Sequence, residues 1–340
     1  MDYDLTANSE ETKKAMRQVR LFELNFFFLL LIALSAPLAP SAKAQGSDSA
    51  ATYIKKGIEH YKAYRYQEAI DAFEEAVRSR PNDDDLRYRL AMSYYKLGRW
   101  KAAIENYRAS IRIKPSSDGY RGVGAASLRS GQYNDAVEAF KEYIRLEPKD
   151  PDGYVGLADA YTRLGKNEEA LEAYQQLVRV KPDVMSELGL GDAYARLGRY
   201  EDAIEAFREV IRLNPNSAYG YASLGEAYIA AGQHEKALES FKRLVNLKPV
   251  DPESYYALGT AYSELRQYEN AIEPFKQAIS LKPDHINAHY SLGLAYHRLG
   301  KTEAAMEQYT ILKGLDPDAA DQLIRDMNQS RPREDKPVAP

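Results

Sequence analysis

Hydrophobic and small residues recur along the chain at the spacing of amphipathic helices, and residues 218–249 show the pattern plainly. Tyr221, Leu224, Gly225 and Tyr228 fall at i, i+3, i+4 and i+7. Positions with this spacing lie on one face of an α-helix, and the opposite face is left for other residues. The pattern therefore predicts a first helix with one buried side.

A second helix is predicted within the same segment, because Ala237, Phe241 and Leu244 repeat the helical spacing. Gly232 marks the end of the first helix, since glycine adopts the left-handed C-terminal conformation at little cost. Pro249 ends the second helix, since proline cannot donate the next backbone hydrogen bond. The segment is thus an antiparallel helix pair, which buries its apolar faces only by stacking on neighbouring pairs.

Proline marks the same position in eight successive segments, at intervals of 33 or 34 residues. These prolines are Pro81, Pro115, Pro148, Pro182, Pro215, Pro249, Pro283 and Pro317. An alanine stands twelve residues before each proline, and a Phe or Tyr stands four residues after each alanine. A period of this length indicates an array of repeated helix pairs, although length alone would suggest about two ordinary domains.

With these alanine, aromatic and proline positions, the sequence resembles the tetratricopeptide repeat family from residue 50 to residue 319. The resemblance implies an all-α fold, an α-solenoid in which eight helix hairpins form a right-handed superhelix. The repeats are assigned to residues 50–83, 84–116, 117–150, 151–183, 184–217, 218–251, 252–285 and 286–319.

Short segments flank the repeats and complete the predicted domain organisation. Residues 45–49 are expected to form a linker. Residues 320–330 are expected to form a capping helix, with Leu323 and Met327 on its apolar face. Residues 331–340 are polar and rich in proline, so they are predicted to be disordered.

Residues 1–44 have the features of a secretory signal peptide in the expected order. Basic residues precede an apolar run at residues 26–34, and an Ala-Lys-Ala sequence ends at Ala44. We expect cleavage after Ala44 and export to the periplasm or the exterior, with Met16 as an alternative start. The other interpretation is an uncleaved membrane anchor over residues 21–39, but polar residues and a proline interrupt that stretch, whereas a span needs about 20 apolar residues.

Composition excludes several classes of function. The 46 Lys and Arg residues are outnumbered by 50 Asp and Glu residues, and the net charge of −4 provides no basic footprint for nucleic acid. The sequence contains no cysteine. A disulfide scaffold, a thiol nucleophile and a lipid-modified cysteine anchor are therefore excluded.

Tyrosine is abundant, and 19 of the 27 residues fall where the helix pairs need aromatic packing. Six others fall on the opposite side of the first helices, which in the resembling family lines the concave groove. They are Tyr61, Tyr88 and Tyr95 near one end of the array and Tyr219, Tyr256 and Tyr290 near the other. Tyrosines exposed there would suit partner binding, since they offer large contact area with little rotamer entropy to lose. The alternative is that tyrosine is simply a tolerated helix-surface residue.

Charged residues follow the same side of the first helices between the two tyrosine groups. Asp159 stands four residues before Arg163, and Asp192 stands four residues before Arg196. Such pairs stabilise a helix by about 0.2 to 0.5 kcal/mol each. They are consistent with either a self-neutralised solvated surface or a polar track for a ligand. Arg298 occupies the position of Arg163 in the last repeat, at the predicted groove edge.

The sequence does not predict catalysis. His285 and His289 stand four residues apart, but no glutamate lies between them and His289 replaces a packing aromatic. The Gly-x-Gly sequences that begin at Gly122 and Gly189 lie inside first helices with no strand before them, so they are not dinucleotide loops. We expect no enzymatic activity, no cofactor and no metal site.

These features lead to the hypothesis of a non-enzymatic scaffold in the cell envelope whose concave groove holds a peptide or protein segment. Nucleic acid is not an expected partner, and membrane contact is expected only through an uncleaved leader. Two alternatives remain open. One is an accessory factor that binds polysaccharide during export, with the tyrosines stacking on sugar rings, and the other is self-association through the groove.

Overall fold

The computed structural model describes residues 45–329, and every regular element in that range is an α-helix. The predicted signal peptide at residues 1–44 and the predicted tail at residues 331–340 lie outside the described residues. No helix within the described range is both long enough and apolar enough to cross a membrane. The chain divides into two compact units between Asn82 and Asp83.

The first unit contains a single helix pair, α1 (Gln45–Lys62) and α2 (Tyr66–Ser79). Helix α1 already begins at Gln45, so residues 45–49 are helical where a linker was expected. No proline interrupts residues 45–49, so the helix can extend over them ahead of the first repeat.

The second unit contains seven further helix pairs and one last helix. The pairs are α3 (Asp84–Lys96) with α4 (Trp100–Ile113), α5 (Ser117–Ser130) with α6 (Tyr133–Leu146), α7 (Pro151–Arg163) with α8 (Asn167–Val180), α9 (Val184–Arg196) with α10 (Tyr200–Leu213), α11 (Ala218–Ala230) with α12 (His234–Leu247), α13 (Pro252–Glu264) with α14 (Tyr268–Leu281), and α15 (Ile286–Arg298) with α16 (Thr302–Leu315). Helix α17 (Pro317–Gln329) follows and packs on both α15 and α16. Within each unit, each helix packs on the next along the chain, which is the arrangement of an α-solenoid.

Side-chain caps and left-handed turns set the helix ends. At the start of α9, the Asp183 carboxylate accepts the Ser186 backbone N–H at 2.9 Å. The Ser186 hydroxyl accepts the Asp183 backbone N–H at the same distance, which completes a capping box. Gly232, between α11 and α12, has a φ of +71° as expected for the end of a first helix.

In five of the helix pairs, an aromatic ring from the second helix fills the space beside a glycine of the first helix. A Cβ at Gly225 would lie 2.5 Å from the Phe241 ring, and one at Gly191 would lie 2.4 Å from the Phe207 ring. Both distances are far below van der Waals contact. These first-helix positions therefore exclude any side chain, as the pattern of small and aromatic residues predicted.

Arg266 occupies the turn between α13 and α14 where six other pairs have glycine and the first pair has Tyr64, and its φ is +55°. This conformation costs an L-residue roughly 1 to 2 kcal/mol. We expect Arg266→Gly to raise the free energy of unfolding by about 1 kcal/mol, as measured by urea denaturation. Gly232→Ala is the reverse control, since a Cβ there meets no atom within 4 Å and tests the backbone alone. A loss of stability in Arg266→Gly would contradict this explanation.

First helices of successive pairs approach one another in the second unit. This holds for α3 with α5, α5 with α7, α9 with α11, α11 with α13, and α13 with α15. Second helices make no comparable approach to each other within residues 83–329. The row of first helices is therefore the shorter side of this unit. We call the side of α3, α5, α7, α9, α11, α13 and α15 that is turned away from the second helices the inner face.

Candidate partner-binding face

Tyr219 is the most exposed of the six tyrosines predicted for the groove, with 57% of its surface accessible. It lies near the start of α11, and its hydroxyl donates a hydrogen bond to Asp192 of α9 at 3.4 Å. This contact joins two successive first helices across the inner face. The other five tyrosines are half-buried.

The three predicted tyrosines near the N-terminal end pack against aromatic neighbours. The Tyr88 ring lies 5.5 Å from the Tyr107 ring, and the Tyr95 ring lies 5.0 Å from the Trp100 ring, measured between centroids. In the first unit, Tyr61 lies 5.4 Å from Tyr66. Much of each ring is therefore committed to intramolecular packing.

Tyr256 and Tyr290 are also less available than their sequence positions suggested. Tyr256 packs on Phe275 and His285, with centroids 5.9 and 5.2 Å away. Tyr290 donates a hydrogen bond to Asp326 of α17 and packs against the cluster that contains Leu323. The last helix covers Tyr290, which was predicted to lie in an open groove.

Two exposed apolar residues on the inner face are not tyrosines and were not predicted from the sequence. Met185 of α9 is 73% exposed, and Val155 of α7 is 49% exposed. Together with Tyr219, they place one exposed apolar side chain on each of three successive first helices. The sequence does carry a signal for them, since Met185 lies one repeat before Tyr219 and Val155 lies three repeats before Tyr256.

The predicted acid–base pairs differ from each other in the structure. Arg163 Nε donates to Asp159 Oδ1 at 2.8 Å, and about half of each side chain is exposed. Asp192 instead receives the Tyr219 hydroxyl, while Arg196 acts on it as a nearby positive charge. Only the first pair is therefore a direct ion pair, and Asp192 is left with a weak hydrogen bond.

Partial burial raises the pKa of Asp192, against the lowering effects of Tyr219 and Arg196. Burial also raises the pKa of Glu226, and the negative charge of Asp192 raises it further. Burial raises the pKa of the Tyr219 hydroxyl as well. The negative charges of Asp192 and Glu226 thus repel each other beside the exposed Tyr219. A cationic group from a partner would relieve that repulsion.

Arg196 and Arg298 are the remaining residues predicted for the groove. Asp192 and Arg196 line a cavity of about 50 Å³ with Thr162 and Tyr174, a volume that suits water rather than a ligand. Arg298 is exposed in the last turn of α15.

The histidines considered as metal ligands have structural roles. His285 caps α15, and its Nδ1 accepts the Ala288 backbone N–H at 3.4 Å. His289 is buried, with one ring nitrogen 2.8 Å from Gln308 and the other 3.0 Å from the Pro283 carbonyl. Within residues 45–329, no group of three or more His, Asp and Glu side chains is placed to hold a metal ion.

The sequence matches family models described as tetratricopeptide repeat or TPR repeat over well more than half of its length. One model matches residues 54–118 and 188–252, a second 127–190, a third 261–300 and a fourth 286–318. Comparison with curated proteins found no match.

Several solved structures resemble this chain. The C-terminal part of a TPR repeat-containing protein from Cytophaga hutchinsonii has a TM-score of 0.62 at 20% identity, covering 70% of this chain and 99% of that one. MamA from Desulfovibrio magneticus RS-1 is 30% identical with a TM-score of 0.47, covering 49% and 96%. YrrB, described as a TPR protein with an unusual peptide-binding site, is 23% identical with a TM-score of 0.48, covering 56% and 100%. The first of these likenesses supports the α-solenoid fold.

Proposed function

The chain belongs to the tetratricopeptide repeat family, and from that premise we propose that it is a non-enzymatic scaffold of the cell envelope that binds a protein segment on its inner face. Solenoids of this kind typically recognise or assemble proteins, since their curved rows of helices offer extended surfaces. The leader pattern at residues 1–44 supports the proposed location.

The observation that supports the inner face is the exposure of Val155, Met185 and Tyr219 on α7, α9 and α11. Exposed apolar surface rimmed by polar groups is characteristic of interaction sites. Methionine adapts its shape to a bound side chain, and tyrosine adds rigid contact area. These properties favour a partner segment that contributes apolar side chains.

Charge narrows the class of partner. Asp192 and Glu226 lie beside Tyr219, and each carboxylate is partly desolvated. A lysine or arginine of the partner would pair with them and remove their mutual repulsion. The proposed partner is therefore a segment with apolar residues next to a basic residue. Polysaccharide stacking receives less support, because of the six groove tyrosines only Tyr219 is widely exposed.

Affinity capture from an envelope fraction tests this proposal, with the mature wild-type protein as bait beside a Met185→Ser/Tyr219→Ser variant. We expect a protein that the wild type retains and the double variant loses. Val250→Ser is the matched control, since Val250 is 79% exposed but lies in the loop before α13. Equal capture by all three baits would contradict inner-face binding, and glycan binding without protein capture would favour the polysaccharide alternative.

A further inference from the structure

A second surface, which shares no residue with the inner face, is an open groove of about 700 Å³ between α10, α11 and α12. Tyr221 and Tyr228 of α11 form one wall. Four basic side chains also line the groove, namely Arg208 of α10 and Lys236, Lys242 and Arg243 of α12. The Lys242 ammonium lies 5.6 Å from the centroid of the Tyr262 ring in α13. Glu239 is the only acidic side chain that lines the groove.

The basic residues of the groove lack acidic partners inside the protein. None of the four forms an ion pair with a carboxylate in the part of the chain that the structure describes. Arg208 instead donates to the Tyr228 hydroxyl at 2.9 Å. Elsewhere in the second unit, four bases of second helices pair with an acid one turn away, namely Lys141, Arg145, Arg212 and Lys276.

The equivalent junction between α4 and the next helix pair contains a carboxylate that the groove lacks. Arg108 of α4 lies at the repeat position of Arg208, and its guanidinium is 2.9 Å from the carboxylate of Asp135 in the next pair. The repeat position of Asp135 holds Lys236 at the groove. Lys236 thus places a positive charge where Asp135 supplies the carboxylate that neutralises Arg108.

This replacement places two cations against the same aromatic ring. The Arg208 guanidinium and the Lys236 ammonium each lie 5.7 Å from the centroid of the Tyr228 ring. The ring attracts each cation, but the two positive charges repel one another. An anion that enters between them would replace the missing carboxylate.

We propose that this groove binds an acidic, carboxylate-rich segment of a protein partner, in addition to the site proposed on the inner face. Lys236 and Arg243 are seven residues apart, which separates them by about 10 Å along α12. Alternate residues of an extended segment are about 7 Å apart, so two of its carboxylates can reach bases at both ends of the groove. A single compact phosphate would contact only some of these bases.

The test uses a fluorescein-labelled peptide of alternating glutamate and alanine, with binding followed by fluorescence anisotropy at low ionic strength. We expect saturable binding that weakens as salt is added, and no binding of the matched peptide with glutamine in place of glutamate. Lys236→Asp recreates the Arg108–Asp135 arrangement and should weaken binding by about tenfold or more. Lys101→Asp changes the net charge equally at an exposed site on α4, and it should bind like the wild type.

Several outcomes would overturn the proposal. Equal affinity in Lys236→Asp and wild type would show that the peptide binds elsewhere, and equal binding of the glutamine peptide would show that carboxylates are not recognised. Displacement of the peptide by equimolar inorganic phosphate, or by vesicles rich in phosphatidylglycerol, would assign the groove to a compact anion or a lipid surface. Lys236→Gln removes the charge without adding a carboxylate, and its weaker binding would separate a charge effect from misfolding of the aspartate variant.

Discussion

Replacing Phe207 with alanine is expected to lower the free energy of unfolding by about 3 to 5 kcal/mol, the largest change predicted for this protein. Phe207 is only 2% exposed and belongs to the core cluster that contains Leu224 and Phe241. Its ring lies directly against the backbone of Gly191. Truncation would leave a cavity between α9 and α10 that neighbouring side chains cannot fill, and urea denaturation monitored by circular dichroism measures the loss.

A complementary substitution at Gly191 tests the same contact from the other side. Gly191→Ala places a methyl group where the ring lies and should destabilise by about 1 to 3 kcal/mol. Phe207→Leu frees part of that space, so the double variant should lose less stability than the two single changes added together. Strictly additive losses, or a cost below about 1 kcal/mol for Phe207→Ala, would contradict the role assigned to this ring.

The second large effect is expected on partner affinity. Met185→Ser combined with Tyr219→Ser should weaken binding of the captured partner by about 2 kcal/mol, roughly 30-fold in Kd, if these side chains form the centre of the contact. Stability should change by only about 0.5 kcal/mol, because both side chains are largely exposed. Isothermal titration calorimetry measures the affinity, and a thermal melt checks the fold.

The Val250→Ser control should retain wild-type affinity. A loss of affinity in that variant would mean that substitution of any exposed apolar residue disturbs binding. An unchanged affinity in the double variant would remove Met185 and Tyr219 from the proposed site. Tyr290 is unsuited to such a test, because its hydrogen bond to Asp326 ties it to α17.

The helix pairs could be predicted from the sequence because each depends on a few local requirements. Gly225 is required by the Phe241 ring beside it, and Gly232 by the left-handed turn after α11. Both requirements recur with the repeat, so the sequence displays them many times. The start of α1 at Gln45 was not predictable in this way, because no repeat position specifies where the first helix begins.

The candidate site was less predictable because exposure depends on neighbours that are distant in sequence. Tyr256 and Tyr290 have the residue type and the repeat position expected of groove residues, yet His285 and α17 partly cover them. Met185 and Val155 lie at repeat positions expected of groove residues and are exposed, but they are not tyrosines. Position within the repeat was therefore a better guide to the inner face than tyrosine content.

The basic groove could have been found only by comparing junctions between pairs. Neither Arg208 nor Lys236 is unusual on a helix surface by itself. The distinction appears when their positions are aligned with Arg108 and Asp135, which belong to two different helix pairs and form an ion pair. Contacts that cross from one repeat to the next are not visible in the pattern of a single repeat.

Site-specific photo-crosslinking in the envelope fraction tests binding at the inner face most directly. A photoreactive phenylalanine analogue would be placed singly at Met185, at Tyr219 and, as a control, at Glu172, which is exposed on the second helix α8. Inner-face binding predicts one partner crosslinked from Met185 and Tyr219 and none from Glu172. The same partner crosslinked from Glu172 but from neither inner-face position would contradict it.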